Sequence, residues 1–193
     1  MCVYIYTMNF DPATTKLQTL VVRSNDGDGT PVDWSTQIQI NEREYDKAYI
    51  QLVNVSMRLL TKGPFPTTTT ESKLILNVES NLGQSIYDSN GRQSFLGCFT
   101  YGRNGKYDAT NAVDVIDHGD SHIENITNPI IELPRIPNGR FQFQLTDYEG
   151  TAIPYITTNA NAINGGTQKL QQTALVFQLY LVKSPHIKSQ VML

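Results

Sequence analysis

Charge is scarce in this sequence. Asp, Glu, Lys and Arg make up 17% of its 193 residues, against about a quarter in an ordinary soluble domain. The hydrophobic fraction, 39%, does not compensate; the balance is Thr, Asn, Gln, Ser and Gly. Helices lean on Ala, Leu, Glu and Lys, so this composition argues for sheets with uncharged polar outer faces and long loops. The net charge is −3 and neither end carries a run of Lys or Arg. Phosphate binding needs clustered cations, so no direct contact with nucleic acid is expected. The two cysteines, Cys2 and Cys98, make no disulfide framework, and a reducing compartment is the default. Met1 to Phe10 lacks the charged leader and longer apolar stretch of a signal peptide. No apolar run reaches the roughly 18 residues of a membrane span. A soluble chain made in a cytoplasm is the expectation. Also missing are a Gly-x-Ser-x-Gly elbow, a Gly-rich phosphate loop and Cys-x-x-Cys.

What the sequence does have is period-two alternation. Leu74, Leu76 and Val78 share one face of Lys73–Ser80. Phe141, Phe143 and Leu145 alternate with Arg140, Gln142, Gln144 and Thr146. Leu175, Phe177, Leu179 and Leu181 alternate with Val176, Gln178, Tyr180 and Val182. The second face of that last segment is mostly apolar too, which marks a central strand covered on both sides or a subunit contact. Further strands are expected at 19–23, 36–40, 48–60, 95–101 and 129–133, with shorter ones at 112–116 and 122–126. Within 48–60, Ile50 and Leu52 are in phase, then Val53, Val55, Met57 and Leu59 take the opposite phase. Such a flip predicts a bulge or a strand that changes sheet. Turn chemistry separates the segments: Asn25-Asp26-Gly27-Asp28-Gly29, Asn90-Gly91, Asn104-Gly105, Asn138-Gly139 and Glu149-Gly150. Pro134 to Gly139 forms a rigid corner before the Phe141 strand.

About eight strands, the number of a jelly roll, predict an all-β antiparallel two-sheet sandwich with long loops. The length suits one core and is short for two. One domain over 1–193 is expected, with 1–16 as a candidate extended N-terminal arm. Phe141, Phe143, Leu145, Phe177 and Leu179 are assigned to the core.

Candidate chemistry is sparse. Asp26, Asp28 and Gly29 suggest a calcium loop, but with Gly29 in sixth place the first and twelfth positions are Ser24 and Ser35, where an acid and a bidentate Glu are required. His118 and His122, with Asp114 and Asp117, form the one cluster of metal-ligand types. On a strand the two histidines would stand ~13 Å apart, and Gly119 disfavours a helix. Glu42 and Glu44 share a face if extended, yet they lie among Asn41, Arg43, Asp46 and Lys47, which reads as a solvated turn. Asn54-Val-Ser56 and Asn125-Ile-Thr127 match the glycosylation pattern by chance in so Asn-rich a chain. No catalytic, cofactor or metal residue is assigned, and no enzyme is expected. Tyr4, Tyr6, Tyr101, Tyr107, Tyr148 and Tyr155 lie near loops or termini, where amphipathic rings can anchor subunit contacts.

Three stretches carry a resemblance. Tyr49 to Met57 resembles an early strand of single jelly-roll capsid proteins from the adenovirus-like and virophage-like lineage of double-stranded DNA viruses. Phe141 to Gly150 resembles their late strand with its "leucine, acid, glycine" turn, and Ala174 to Leu181 their final strand. The resemblance implies a virion protein assembled in a host cell, either a vertex (penton) subunit or a minor capsid protein. It implies a homo-oligomer, a pentamer for the vertex, in contact with other capsid proteins. The alternative is a carbohydrate- or receptor-binding jelly-roll module, which wants exposed aromatic platforms, Trp34 among the candidates. An enzyme on a cupin-like barrel would want two or three histidines and an acid around a metal. Met1 to Phe10, apolar and aromatic, reads as an arm reaching a neighbour or as a strand of the chain's own sheet.

Overall fold

The alternation seen in the sequence becomes eleven strands in a computed structural model that describes residues 10–61, 73–83, 94–102, 107–108, 113–117, 128–147, 150–152 and 172–184. They are β1 (Thr15–Arg23), β2 (Asp28–Gly29), β3 (Asp33–Gln39), β4 (Lys47–Thr61), β5 (Lys73–Ser80), β6 (Ser94–Gly102), β7 (Tyr107–Asp108), β8 (Val113–Asp117), β9 (Ile131–Leu133), β10 (Asn138–Thr146) and β11 (Gln172–Val182). One 3₁₀ turn, Ser24–Asp26, is the helical content of the described residues.

Two antiparallel sheets result. The first has the order β1-β11-β4-β8-β7, with β9 also on β4; the second has the order β2-β3-β10-β5-β6. The chain changes sheet between β1 and β2, β3 and β4, β4 and β5, β6 and β7, β9 and β10, and β10 and β11. Sequence neighbours therefore end up facing each other across the core. This interleaving is the jelly-roll sandwich.

The core lies between the sheets. From the first come Val22, Ile50, Leu52, Val55, Met57, Leu175, Phe177 and Leu179; from the second come Trp34, Ile38, Leu76, Val78, Leu96, Phe141, Phe143 and Leu145. Each set follows the period of two, because alternate residues of a strand point to the same side. All five residues assigned to the core from sequence are buried there. Phe143 stands at the centre, with Trp34 at 5.7 Å and Phe177 of the opposite sheet at 6.4 Å between ring centroids.

The phase flip in β4 is a bulge, and the strand stays in one sheet. Phe177 pairs with Leu52 and Val176 with Asn54, leaving Val53 as the extra residue. Leu52 and Val55 both reach the core because that one residue is accommodated outside the pairing. A second bulge lies between β5 and β6: Val78 pairs with Gly97 and Glu79 with Phe95, which leaves Leu96 over.

Most expected strands begin or end within a few residues of the observed ones. β3 starts earlier than expected, because Trp34 and Thr36 continue the inward series of Ile38. β2 and β7, two residues each, are too short to produce a periodic signal. The strand expected at 122–126 lies outside the described residues.

Candidate interaction face

A sheet in a sandwich has a second face, and that of the first sheet is unusually apolar. Register places its residues in rows. Leu17, Tyr180 and Tyr49 form one row; Thr19, Gln178 and Gln51 the next; Val21, Val176 and Asn54 the third, with the bulged Val53 beside it. The inward neighbours Leu175, Phe177 and Leu179 are fully buried, which fixes the other series as outward. Leu17, Val21 and Val53 are 57%, 42% and 38% exposed.

The two tyrosines of the first row are already covered, while Leu17 is not. The Phe10 ring stacks on Tyr180 with centroids 4.5 Å apart and planes 14° apart, and meets Tyr49 edge-on at 5.3 Å. Tyr49 is consequently buried although it takes no part in the core between the sheets. The glutamines of the second row find partners outside it: the Tyr180 hydroxyl donates to Gln178 Oε1 at 2.8 Å, and Gln51 Nε2 donates to the Asn128 carbonyl at 2.8 Å. The face thus mixes the rings and aliphatic groups of Leu17, Tyr49, Val21, Val53, Val176 and Tyr180 with the uncharged polar Thr19, Gln51, Gln178 and Asn54, and Glu132 of β9 stands beside Tyr49 at its edge.

Asn128 bridges β6 and β4. It precedes β9 and is itself buried. Its Oδ1 accepts from the Cys98 backbone N–H at 2.7 Å and its Nδ2 donates to the Leu52 carbonyl at 3.2 Å, so one amide joins the two sheets. Gly97 makes room for it: a Cβ there would fall 2.8 Å from Asn128 Oδ1, and its φ of +157 also disfavours a side chain.

The other residues singled out from sequence fall apart from this face. Glu42 Oε1 accepts from Lys16 Nζ at 2.6 Å and from Gln18 Nε2 at 3.1 Å. That hydrogen bond from Lys16 holds the Glu42 carboxyl below its ordinary range and lifts the Lys16 ammonium above its own. Glu44 instead pairs with Lys183. The two carboxylates therefore hold separate lysines, and the turn reading describes them. Asp28 belongs to β2 and pairs with Arg140, while Asp26 faces Arg23 at 3.6 Å. No group of three metal-ligating residues occurs among the described residues. The backbone of Asp114 and Asp117 lies in β8; His118 and His122 lie outside the described residues. Cys98 is half-buried, and burial pushes its thiol upward in pKa.

Trp34 is not a platform. It is 1% exposed and packed on Phe143. Tyr4, Tyr6, Tyr148 and Tyr155 lie outside the described residues, as do the side chains of Tyr101 and Tyr107. Of the aromatic residues on the outer face, Tyr180 belongs to the second, apolar series of β11 that the sequence marks as covered or as a subunit contact, whereas the meeting of Phe10 and Tyr49 with it has no sequence signal.

No protein-family model matches the chain, and no curated protein does. Among solved structures it is similar to the crystal structure of an aminopeptidase from the marine sediment archaeon Thaumarchaeota archaeon, at 10% identity and a TM-score of 0.20. That match covers 87% of this chain and 33% of the aminopeptidase. A likeness of that size bears on neither fold nor activity. In the described residues no helix is long and apolar enough to cross a membrane.

Proposed function

We propose that this chain is a structural virion protein, a capsid vertex (penton) or minor capsid subunit that works by assembling with copies of itself and with other capsid proteins. One observation carries the reading: the stretches that resemble capsid jelly rolls fall on the central strands of a jelly-roll order. Tyr49 to Met57 lies within β4 and Ala174 to Leu181 within β11, side by side in the first sheet. Phe141 begins the resemblance in β10, central in the second sheet, which ends in a tight turn. There Gly150 N donates to the Asp147 carbonyl at 2.9 Å and Asp147 Oδ1 accepts from Thr151 N at 2.8 Å.

The fold alone does not choose a function, since jelly rolls host several. Two features favour assembly over glycan binding. Trp34, the one tryptophan, is spent in the core. The outer face of the first sheet exposes Leu17, Val21 and Val53, and exposed apolar side chains grouped on one face are more readily covered by protein than left in water. A vertex subunit assembles through head-to-tail contacts that close into a ring of five. Mass photometry of the purified full chain is expected to give a pentamer. A chain that stays monomeric at high concentration and never enters a particle would end the capsid reading. Selective retention on a glycan array would favour the binding-module alternative.

A further inference from the structure

β1 lies at one edge of the first sheet and, among the described residues, is paired on one side only. It is nine residues long, and its register against β11 runs unbroken from Thr15 to Arg23. We propose that this edge pairs with β1 of a second copy, antiparallel about a two-fold axis at Thr19, so that two first sheets join into one.

The direction of the backbone groups is the first support. Lys183 N donates to the Thr14 carbonyl at 2.9 Å, and these two residues stand opposite each other in the register that joins Thr15 to Val182. In an antiparallel pair, residues that exchange hydrogen bonds alternate with residues that do not. Lys16, Gln18, Leu20 and Val22 therefore turn their N–H and C=O groups to β11, whereas Thr15, Leu17, Thr19, Val21 and Arg23 turn theirs to the open edge. Such a row is a template for another strand unless proline, a bulge or free charge blocks it. β1 has neither proline nor bulge, and its one lysine, Lys16, is held by Glu42 at 2.6 Å. β6, the long edge of the second sheet, differs: near its middle the Cys98 N–H is already taken by Asn128 Oδ1.

Self-complementarity is the second. With Thr19 opposite its own copy, Leu17 falls opposite Val21, Thr15 opposite Arg23, and Lys16 opposite Val22. All nine residues are then paired and no two like charges face each other. The residues that meet as hydrogen-bonded pairs are the five whose groups are free. A register moved by one residue would set free groups against groups already bonded to β11. The pairing also gives Leu17 and Val21, 57% and 42% exposed in the single chain, apolar neighbours across the axis. One strand edge is small against the about 1,200–2,000 Å² of a stable interface. The contact is therefore a weak one, formed at high concentration or between copies already held side by side. It goes beyond the capsid reading, since any sandwich with such an edge can make it.

Amide exchange of the full chain, followed by NMR over a range of concentrations, tests the pairing. The Leu17, Thr19 and Val21 amides are expected to exchange freely in dilute protein and to slow several-fold as the concentration passes the dissociation constant of the pair. The Gln18 and Leu20 amides, bonded to β11, should be slow throughout. In a mixture of differently labelled copies, nuclear Overhauser contacts should link Leu17 methyls of one copy to Val21 methyls of the other. Thr19→Pro removes an N–H that β11 does not use, so the sandwich should persist while the concentration dependence disappears. Val21→Lys, at an exposed position, should abolish it equally if the proline variant folds poorly. Edge amides that stay fast at the highest concentration would overturn the proposal. So would edge amides already slow in dilute protein, since the edge would then be occupied by something other than a concentration-dependent pair. The ring of five is read separately, by mass photometry of dilute protein, where a weak strand pair is dissolved. Thr19→Pro should leave that mass unchanged; a mass that falls would place β1 inside the ring and end the two-fold pairing.

Discussion

Single residues carry unequal shares of this sandwich. Phe143 is fully buried and touches the rings of both sheets. Truncating it leaves a cavity that close-packed neighbours fill only in part, so Phe143→Ala is expected to cost about 3–5 kcal/mol in urea unfolding. A loss below about 1 kcal/mol would mean that the centre of the core repacks freely. Asn128 matters for a different reason. Its amide satisfies the Cys98 N–H and the Leu52 carbonyl, two backbone groups that no strand partner reaches at these points. Asn128→Ala strands both and should destabilise by about 1–3 kcal/mol, with faster amide exchange at Cys98 as its signature. Unchanged exchange there would show that another group takes over the bond.

At the scale of elements, the loop between β3 and β4 is tied to the sheet by ion pairs. Lys16 on β1 and Lys183 after β11 hold Glu42 and Glu44. The Lys16 hydrogen bond lowers the Glu42 carboxyl and raises the Lys16 ammonium. The carboxylate contribution is therefore complete above the carboxyl's unfolded pKa and is lost as pH falls through its lower folded value. The ammonium contribution is complete below the lysine's unfolded pKa and is lost as pH rises through its higher folded value. Between those limits the pair is intact. Glu42→Gln should lower the thermal midpoint near neutrality, and the gap from the unsubstituted chain should close as acid protonates Glu42. A gap that persists in strong acid would assign the effect to packing instead. The group is near the surface, so the effect should also shrink with added salt.

For the molecule as a whole, the decisive feature is that the outer face of the first sheet carries exposed apolar side chains, Leu17, Val21 and Val53, among its polar ones. A sheet that faces the core on one side and water on the other alternates apolar with polar. β11 departs from that pattern with Val176, Tyr180 and Val182 on its outer series. Assembly into the proposed pentamer, read by mass photometry, is one way of covering that surface between subunits.

The elements were legible in the sequence because a strand's side chains alternate with a period fixed by its backbone. Lys73–Ser80 has the bounds its alternation predicts, and the same alternation predicts the burial of Phe141, Phe143 and Leu145. The phase flip around Val53 revealed an irregularity, because one extra residue reverses every later side chain. It took pairing to show that the irregularity is a bulge within one sheet, since a strand changing sheet would give the same pattern. Trp34 was ambiguous for a similar reason: its alternation with Thr36 and Ile38 is local, but the Phe143 ring it packs on comes from a distant strand. The outer face was the least legible part. Phe10, Leu17, Tyr49 and Tyr180 come from a loop and three strands spread over the chain. Their meeting depends on which strands pair and in what register, and that is a property of the tertiary structure alone.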